Sequence, residues 1–421
     1  MRSAIGGSAR LPKGVSAARL RLPRIARYVF LAAAVAGALY ALLLARAEWL
    51  FEQDTARSVP EAAALVPYNA TYLSRLGSWQ PAHKRELLER AVRLNPFDYQ
   101  SLIQLGYLAE FEQHDPATAE HDYLRAEEVN RMFLPKWTLT NFYYRHGRTE
   151  AFFRWATATL AITPYAPEPV FTDMWEMSSD PERIARAIPE RARTLLAYAW
   201  FLSNQGRIAT LPAIVERLIA KAGNRNPRAW GRDDLLAAIE DRLLGAGEVA
   251  PALRIWTALS KARWIPFTIP TTANPITNSD FSSAPYRHGF DWVPQAVEGI
   301  RFDPSPLTGT LRIEFSGNEP ESCVLLRQYV PVQPGGVYDF SWKAEPELAE
   351  TPSGLTWHLR SVPGDAESAP ASPDLAKANK WETRVPANSH LAVLSLEYVR
   401  PLGHLRARGA VVLKTVEARL H

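Results

Sequence analysis

The side chains of this 421-residue chain that are best placed for chemistry lie near its C-terminus. In the run LTWHLRS, alternation gives Leu355, Trp357 and Leu359 one face and leaves His358 and Arg360 on the other. Arg327 in LLRQYVPV and Glu397 in LAVLSLEYV have the same outward parity on neighbouring runs. If these runs pair, they build a polar face of Arg, His and Glu. A guanidinium offers a planar, bidentate donor fork, so such a face suits sugar hydroxyls or a uronate carboxylate. An ordinary solvated face is the alternative. Trp381 follows a polar loop and is either an exposed ring for sugar stacking or a strand-start residue covering a core. Arg327, His358, Arg360, Trp381 and Glu397 are therefore the candidate ligand-binding residues.

Other chemistries find no support. The nine His are scattered, with no HExxH and no metal-ligand spacing, and no GxSxG elbow occurs. GAGEVA at Gly245 to Ala250 imitates part of a dinucleotide fingerprint, but it follows a helical run without βαβ context and reads as an interhelical turn. Acid pairs such as Glu127-Glu128 sit at i,i+1 on a helix and do not converge. Cys323 is the single cysteine; it makes no intrachain disulfide and reads as a small hydrophobe at a strand start. Asn69-Ala70-Thr71 is a glycosylation sequon, relevant only in a eukaryotic secretory pathway. The expectation is a protein that is not an enzyme, with no catalytic residue, no cofactor and no metal. The competing expectation is a degenerate polysaccharide-acting enzyme with a site between domains.

The elements that must position the polar face are short alternating runs: TLRIEF, CVLLRQYVPV, VYDFSWKA, LTWHLRS, WETRVP, LAVLSLEYV and AVVLKTVEARL. Seven or eight strands of this kind predict a sandwich or jelly roll. Val330 and Val332 before the turn PGG, and Tyr338, Phe340 and Trp342 after it, predict a hairpin whose aromatic row is core. The insert VPGDAESAPASPDLAKANK reads as a polar loop.

Before Trp264 the pattern is helical, with apolar residues at 3.6-residue spacing in RELLERAVRL, SLIQLGYLAEF, EAFFRWATATLAI and RTLLAYAWFLSN, separated by short polar turns. At the other end, Arg2, Arg10, Lys13, Arg19, Arg21, Arg24 and Arg27 precede the first acid, Glu48. This cluster accounts for the net charge of +4, so a nucleic-acid partner is not expected. Between Arg27 and Arg46 lie 18 uncharged residues, near the roughly 20 needed to span a bilayer as a helix. The positive flank places the N-terminus in the cytoplasm and the bulk outside. Ala45-Arg46-Ala47 also fits a signal-peptide cleavage site, and either reading exports the body of the protein.

Two resemblances extend this reading. Ala119-x3-Tyr123-x2-Ala126 recurs 32 residues on as Ala151-x3-Trp155-x2-Ala158, and more loosely as Ala252-x3-Trp256-x2-Leu259. With Leu102-x2-Leu105-Gly106 and Trp137-x2-Thr140-Asn141-x2-Tyr144 in the preceding slot, residues 80 to 165 resemble tetratricopeptide repeats, degenerating over 166 to 262. An ordinary α-bundle is the alternative. Residues 275 to 420 resemble the jelly-roll carbohydrate-binding modules of bacterial polysaccharide-active proteins. The matching residues are Asn278-x2-Phe281, Phe290-Asp291-Trp292, Gly309-x-Leu311-x-Ile313, Gln328-x-Val330-x-Val332-x-Pro334-Gly335, Gly354-Leu355-x-Trp357, Trp381 and the closing VVLKTVEARL. That resemblance implies glycan binding. It also implies a structural calcium in many members, but Ser282 and Lys414-Thr415 stand where acids are expected, against calcium here.

The expected architecture is multi-domain: a basic cytoplasmic segment (1–27), a transmembrane anchor (28–47), an all-α TPR-like solenoid (56–262), a linker (263–277) and an all-β jelly roll (278–421). The expected function is an inner-membrane, single-pass scaffold with its bulk in the periplasm. Its helical repeats take a protein partner and its jelly roll a glycan or partner, in envelope or exopolysaccharide assembly. A jelly roll that merely caps the solenoid is a further alternative.

Overall fold

The computed structural model describes residues 24–223, 233–348, 353–364 and 371–421. Most of the basic N-terminal segment and residues 365–370 of the polar insert lie outside them. The chain divides into two units, residues 1–138 and 139–421.

The first unit opens with a single 29-residue helix, α1 (Arg24–Glu52), which contains the apolar run and continues past it. Antiparallel neighbours follow: α2 (Ser58–Leu65), α3 (Ala70–Trp79), α4 (Lys84–Leu94), α5 (Tyr99–Tyr107) with a terminal π-turn, and α6 (Pro116–Val129). Local chemistry sets the starts. Asn69 Oδ1 accepts from Thr71 N at 3.0 Å, so the sequon asparagine is the N-cap of α3. Asp98 and Asp115 cap α5 and α6, the latter with Pro116 at the first helical position. Ala47 and Leu50 of α1 are buried with Val59, Ala62, Val66, Tyr72 and Leu76, so the end of the apolar helix is part of this unit's core. Ala119, Tyr123 and Ala126 are fully buried. A Cβ on Gly106 would stand 2.4 Å from the Tyr123 ring, the close approach the repeat pattern exists to permit.

Helix α7 (Phe133–Arg145) leads into the second unit, which continues with α8 (Thr149–Ile162), α9 (Glu168–Met177), α10 (Pro181–Ala187), α11 (Ala192–Asn204), α12 (Leu211–Ala222), α13 (Asp233–Gly245) and α14 (Val249–Lys261). The repeat frame needs one correction. In α8 Phe152, Ala156 and Thr159 are buried, together with Phe153 and Leu160, while Ala151, Trp155 and Ala158 are half-buried. The copy therefore advances by one residue, because Thr159 turns inward to share a 3.0 Å hydrogen bond with Thr140 of α7. The third copy is in frame: Ala252, Trp256 and Leu259 are all buried.

Nine strands follow among the described residues. One antiparallel sheet has the order β1 (Val293–Pro294), β4 (Ser322–Pro331), β8 (Leu391–Val399), β6 (Leu355–Val362). The other has the order β2 (Ile300–Ser305), β3 (Thr310–Ser316), β9 (Arg408–Leu420), β5 (Val337–Leu348), β7 (Lys380–Arg384). Their inner faces share one core, with Trp342 and Trp357 rings 6.5 Å apart across it and Phe315 packed on Tyr398. Tyr338, Phe340 and Trp342 belong to that core. The hairpin reading is corrected: β4 pairs with β1 and β8, and β5 with β7 and β9, so the PGG turn crosses between sheets. Alternation fixes which face a side chain takes, not which strand lies alongside, and both strands point their apolar rows into one core. The linker is not a free tether. Trp264, Ile265, Phe267 and Ile276 are buried, and Trp256 of α14 is fully buried, packed on Phe267 and Phe290. Gly289, at φ +62°, passes so close that a Cβ would lie 2.5 Å from the Trp256 ring.

Candidate ligand face of the sandwich

Strands β4, β8 and β6 are adjacent and antiparallel, and their registers bring the outward residues into rows. Arg327, Ser395 and His358 share one row; Tyr329, Val393 and Arg360 share the next. Glu397 pairs with Thr356 in the row on the other side of the first. The structure thus places Arg327, His358, Arg360 and Glu397 on one outer face. Trp381 is not among them. It lies on β7 of the other sheet, only 5% exposed, with its ring centroid 5.2 Å from that of Phe340. Its parity turns inward with the Tyr338–Phe340–Trp342 row, so it fills the core and offers no ring to a sugar.

The centre of the face is an ion pair. Arg360 holds Glu397 bidentately, with Nη2 3.0 Å from Oε2 and Nη1 on Oε1. Ser395 Oγ donates to Glu397 Oε1 at 2.7 Å, and Arg360 Nη1 donates to Ser395 Oγ at 3.2 Å. His358 Nε2 lies 3.8 Å from Glu397 Oε2 and 2.9 Å from Thr356 Oγ1. Side-chain exposure is 13% for Glu397, 15% for His358 and 30% for Arg360. Burial alone would push the Glu397 carboxyl up; the Arg360 and Ser395 hydrogen bonds and the His358 and Arg360 charges outweigh it, and the carboxyl is held below its usual range. Such a carboxylate is an ionised acceptor, not a proton donor. Arg327 stands exposed at the edge of this cluster.

Sequence reading missed Ser395 and Thr356, whose small polar side chains carry no spacing signal. It also missed the seam within the second unit. There Asp241 of α13 accepts from Gly289 N at 2.8 Å and lies 2.7 Å from His288 Nδ1. Gln328, fully buried on β4, donates to the carbonyls of Thr277 and Phe290 at 3.0 Å each. Asp291, also fully buried, accepts from Tyr286 N at 2.5 Å.

Among the described residues one group has metal-ligand proximity. Asp339, Glu382 and His421, all exposed, bring ligand atoms within 4.8 Å of one another on the outer face of the second sheet. His421 Nδ1 lies 3.3 Å from Asp339 Oδ2, the geometry of an ordinary surface ion pair. Cys323 is half-buried against the core, and burial pushes its thiol up, away from reactivity. A cleft of about 460 Å³ at the rim of the sandwich, lined by Tyr398, His404, Arg406 and Arg408 among others, includes none of the five candidate residues.

No protein-family profile matches the chain, and no curated protein sequence matches it. Similar solved structures include accessory secretory proteins 1, 2 and 3 of Streptococcus pneumoniae, at 10% identity over 37% of this chain and 99% of that one, with a TM-score of 0.24. YrrB, described as a TPR protein with an unusual peptide-binding site, matches at 7% identity over 50% of this chain and 94% of its own, TM-score 0.24. The C-terminal part of a TPR repeat-containing protein from Cytophaga hutchinsonii matches at 13% identity over 52% and 95%, TM-score 0.26. Helical-repeat proteins are thus among the chain's structural neighbours; scores of this size carry no argument about function.

Proposed function

We propose that the chain is a non-enzymatic scaffold held by one span in a bacterial inner membrane, with its bulk in the periplasm. Its helical repeats take a protein segment, and its sandwich, read as a jelly-roll module, binds a glycan or docks on that partner during envelope or exopolysaccharide assembly. No nucleic-acid partner is invoked. The observation that carries the reading is α1. One unbroken helix runs from an apolar, exposed stretch into the core of the first unit, where Ala47 and Leu50 are buried. Cleavage after Ala47 would cut through that core, which favours an anchor over a removable signal.

Glycan binding is assigned to the exposed edge of the β4-β8-β6 face, where Arg327 supplies a donor fork and the Arg360–Glu397 pair supplies a rigid polar floor. The acids at the seam, Asp241 and Asp291, are both engaged by backbone amides, which supports binding over hydrolysis. A glycosidase needs two carboxylates about 5–10 Å apart and facing a substrate. The test is calorimetric titration of the full-length protein in detergent with uronate-containing and neutral polysaccharides. Arg327→Ala should weaken uronate binding about ten-fold, roughly 1.4 kcal/mol. Glu397→Gln, which removes the charge competing for Arg360, should strengthen it. Wild-type protein that binds no polymer in this titration or on a glycan array would remove the glycan half of the proposal.

A second reading makes the sandwich a structural cap on the helical array. It is favoured by the full burial of Trp256 between α14 and the segment around Phe267 and Phe290.

A further inference from the structure

A second concave surface of the sandwich shares no residue with the candidate ligand face. It is the cleft of about 460 Å³ at the rim, where the loop after β8, residues 400–407, folds back beside the ends of β3 and β5. That volume lies within the roughly 300–1,000 Å³ of small-molecule sites. Its apolar lining includes Leu348, Tyr398 and Leu405. Tyr398 is buried, while Leu405 is 77% exposed at the surface. Its charged lining is of one sign, His404, Arg406 and Arg408.

The sign follows from the sequence. No acid occurs between Glu397 and Glu417, while Arg400, His404, Arg406, Arg408 and Lys414 fall in that interval. Two of these are neutralised by neighbouring strands and turns: Arg400 pairs with Glu321 and Lys414 with Glu345. Arg406 donates to the Gly317 carbonyl at 3.5 Å, long for a hydrogen bond. Arg408 lies along the backbone of Gly317, where a Cβ would stand 2.9 Å from its Nε. Neither arginine has a carboxylate partner among the described residues. The acid beneath the loop is Glu319, only 1% exposed. Its Oε1 accepts from Ala407 N at 2.9 Å and its Oε2 from Gly317 N at 3.0 Å. Glu319 thus fixes the two backbone segments beside the arginines and is not part of the cleft wall. Its single charge leaves the two guanidinia in excess.

We propose that this cleft binds a phosphomonoester carried on an apolar body. The dianion matches two guanidinia, and a guanidinium can give a phosphate two parallel hydrogen bonds. The apolar body takes Leu348 and Leu405 out of water. A carboxylate brings one charge and a neutral sugar none, so both are weaker ligands here.

The test uses full-length protein in phosphatidylcholine nanodiscs, titrated with phenyl phosphate and followed by saturation-transfer NMR. A ligand of this size should saturate with a Kd of about 0.1–1 mM. Inorganic phosphate lacks the ring, phenyl glucoside lacks the charge and benzoate carries one charge; each should bind about five-fold more weakly or worse. Arg406→Gln and Arg408→Gln should each weaken phenyl phosphate about ten-fold, and Leu405→Ser about three-fold. Arg419→Gln removes an exposed cation outside the cleft and should change nothing. All four side chains are exposed, so the variants should keep the wild-type circular dichroism. Dihexanoyl phosphatidic acid, titrated in the same way, identifies a lipid phosphate if it binds more tightly than phenyl phosphate and a soluble ester if it binds more weakly. If inorganic phosphate binds as well as phenyl phosphate, or Arg419→Gln weakens binding as much as Arg408→Gln, the arginines belong only to a charged surface and the proposal is overturned. It falls equally if phenyl phosphate fails to saturate below about 10 mM, or if phenyl glucoside or benzoate binds as tightly.

Discussion

Arg360 and Glu397 show what a mostly buried ion pair does in this fold. Their attraction offsets desolvation only while both are present, so removing one partner leaves a charge stranded under partial burial. Arg360→Ala should destabilise the second unit by about 2 kcal/mol. The double variant Arg360→Ala/Glu397→Gln should recover part of that loss, read as a shift in urea midpoint; simple additivity would contradict the pairing. Asp291 makes the complementary case, a buried acid without a cation. Burial pushes its carboxyl up to about 7, against the lowering effect of the Tyr286 and Trp292 amides and the Asn278 side chain. The folded state then keeps a proton that the unfolded chain gives up near pH 4. Stability is fullest below that pH, falls as pH rises toward 7 and is flat above, by on the order of a few kcal/mol across the window. Protection factors of the sandwich amides, with the intrinsic rise of exchange with pH divided out, should fall over this range in the wild type and stay level in Asp291→Asn. Gly106→Ala is the steric counterpart. The ring it would strike is Tyr123, whose hydroxyl donates to Glu110 at 2.9 Å, so the ring has little room to move and the gain in helix propensity is outweighed. The expected cost is about 1–3 kcal/mol in the first unit, seen as a lower thermal midpoint.

At the scale of elements, the sequence carried faces more clearly than neighbours. Period 2 put Leu355, Trp357 and Leu359 inward and His358 and Arg360 outward, and the sheet agrees. It could not say that β4 and β5, separated by a tight turn, would join different sheets, because parity is blind to partner. It also could not place Trp381, since a ring beside a polar loop has the same local pattern whether it closes a core or faces solvent. In α8 the small-x3-aromatic-x2-small pattern was matched one residue early, because Ala151-x3-Trp155-x2-Ala158 satisfies it while the inward row is Phe152, Ala156 and Thr159. The element with the largest consequence is α1, whose continuity was not legible. An 18-residue apolar run looks the same whether its helix stops at the membrane surface or runs on. Ala47→Pro tests that continuity. The substitution removes a helical hydrogen bond and kinks the segment at a cost of about 3 kcal/mol, so protease cleavage between residues 43 and 52 should rise sharply in vesicles. Unchanged resistance would mean that α1 and the first unit are joined less rigidly than the burial of Ala47 and Leu50 implies.

At the scale of the whole molecule, the question is whether the sandwich is an independent module or the end of the helical array. The seam within the second unit bears on it directly. Trp256 comes from the last helix, yet its partners are Phe267, Tyr286 and Phe290 from the segment that leads into the first strand. Its indole Nε1 donates to Thr268 O at 3.0 Å, and Gly289 is excluded from having a side chain by the same ring. The Asp241 carboxylate ties α13 to His288 and Gly289. A ring buried by both halves couples their unfolding, because opening either one exposes it to water. Trp256→Ala in the full-length protein should therefore cost about 3–5 kcal/mol. The loss of hydrogen-exchange protection should appear together in α13, α14 and β4, which Gln328 joins to Thr277 and Phe290, while α3 to α6 in the first unit keep theirs. If protection falls in α14 alone, the sandwich is a free module and its function must be sought in its own surface. If both halves lose protection together, the sandwich also serves as the cap of the helical array, and the polar face of β4, β8 and β6 is held in place by the helices that precede it.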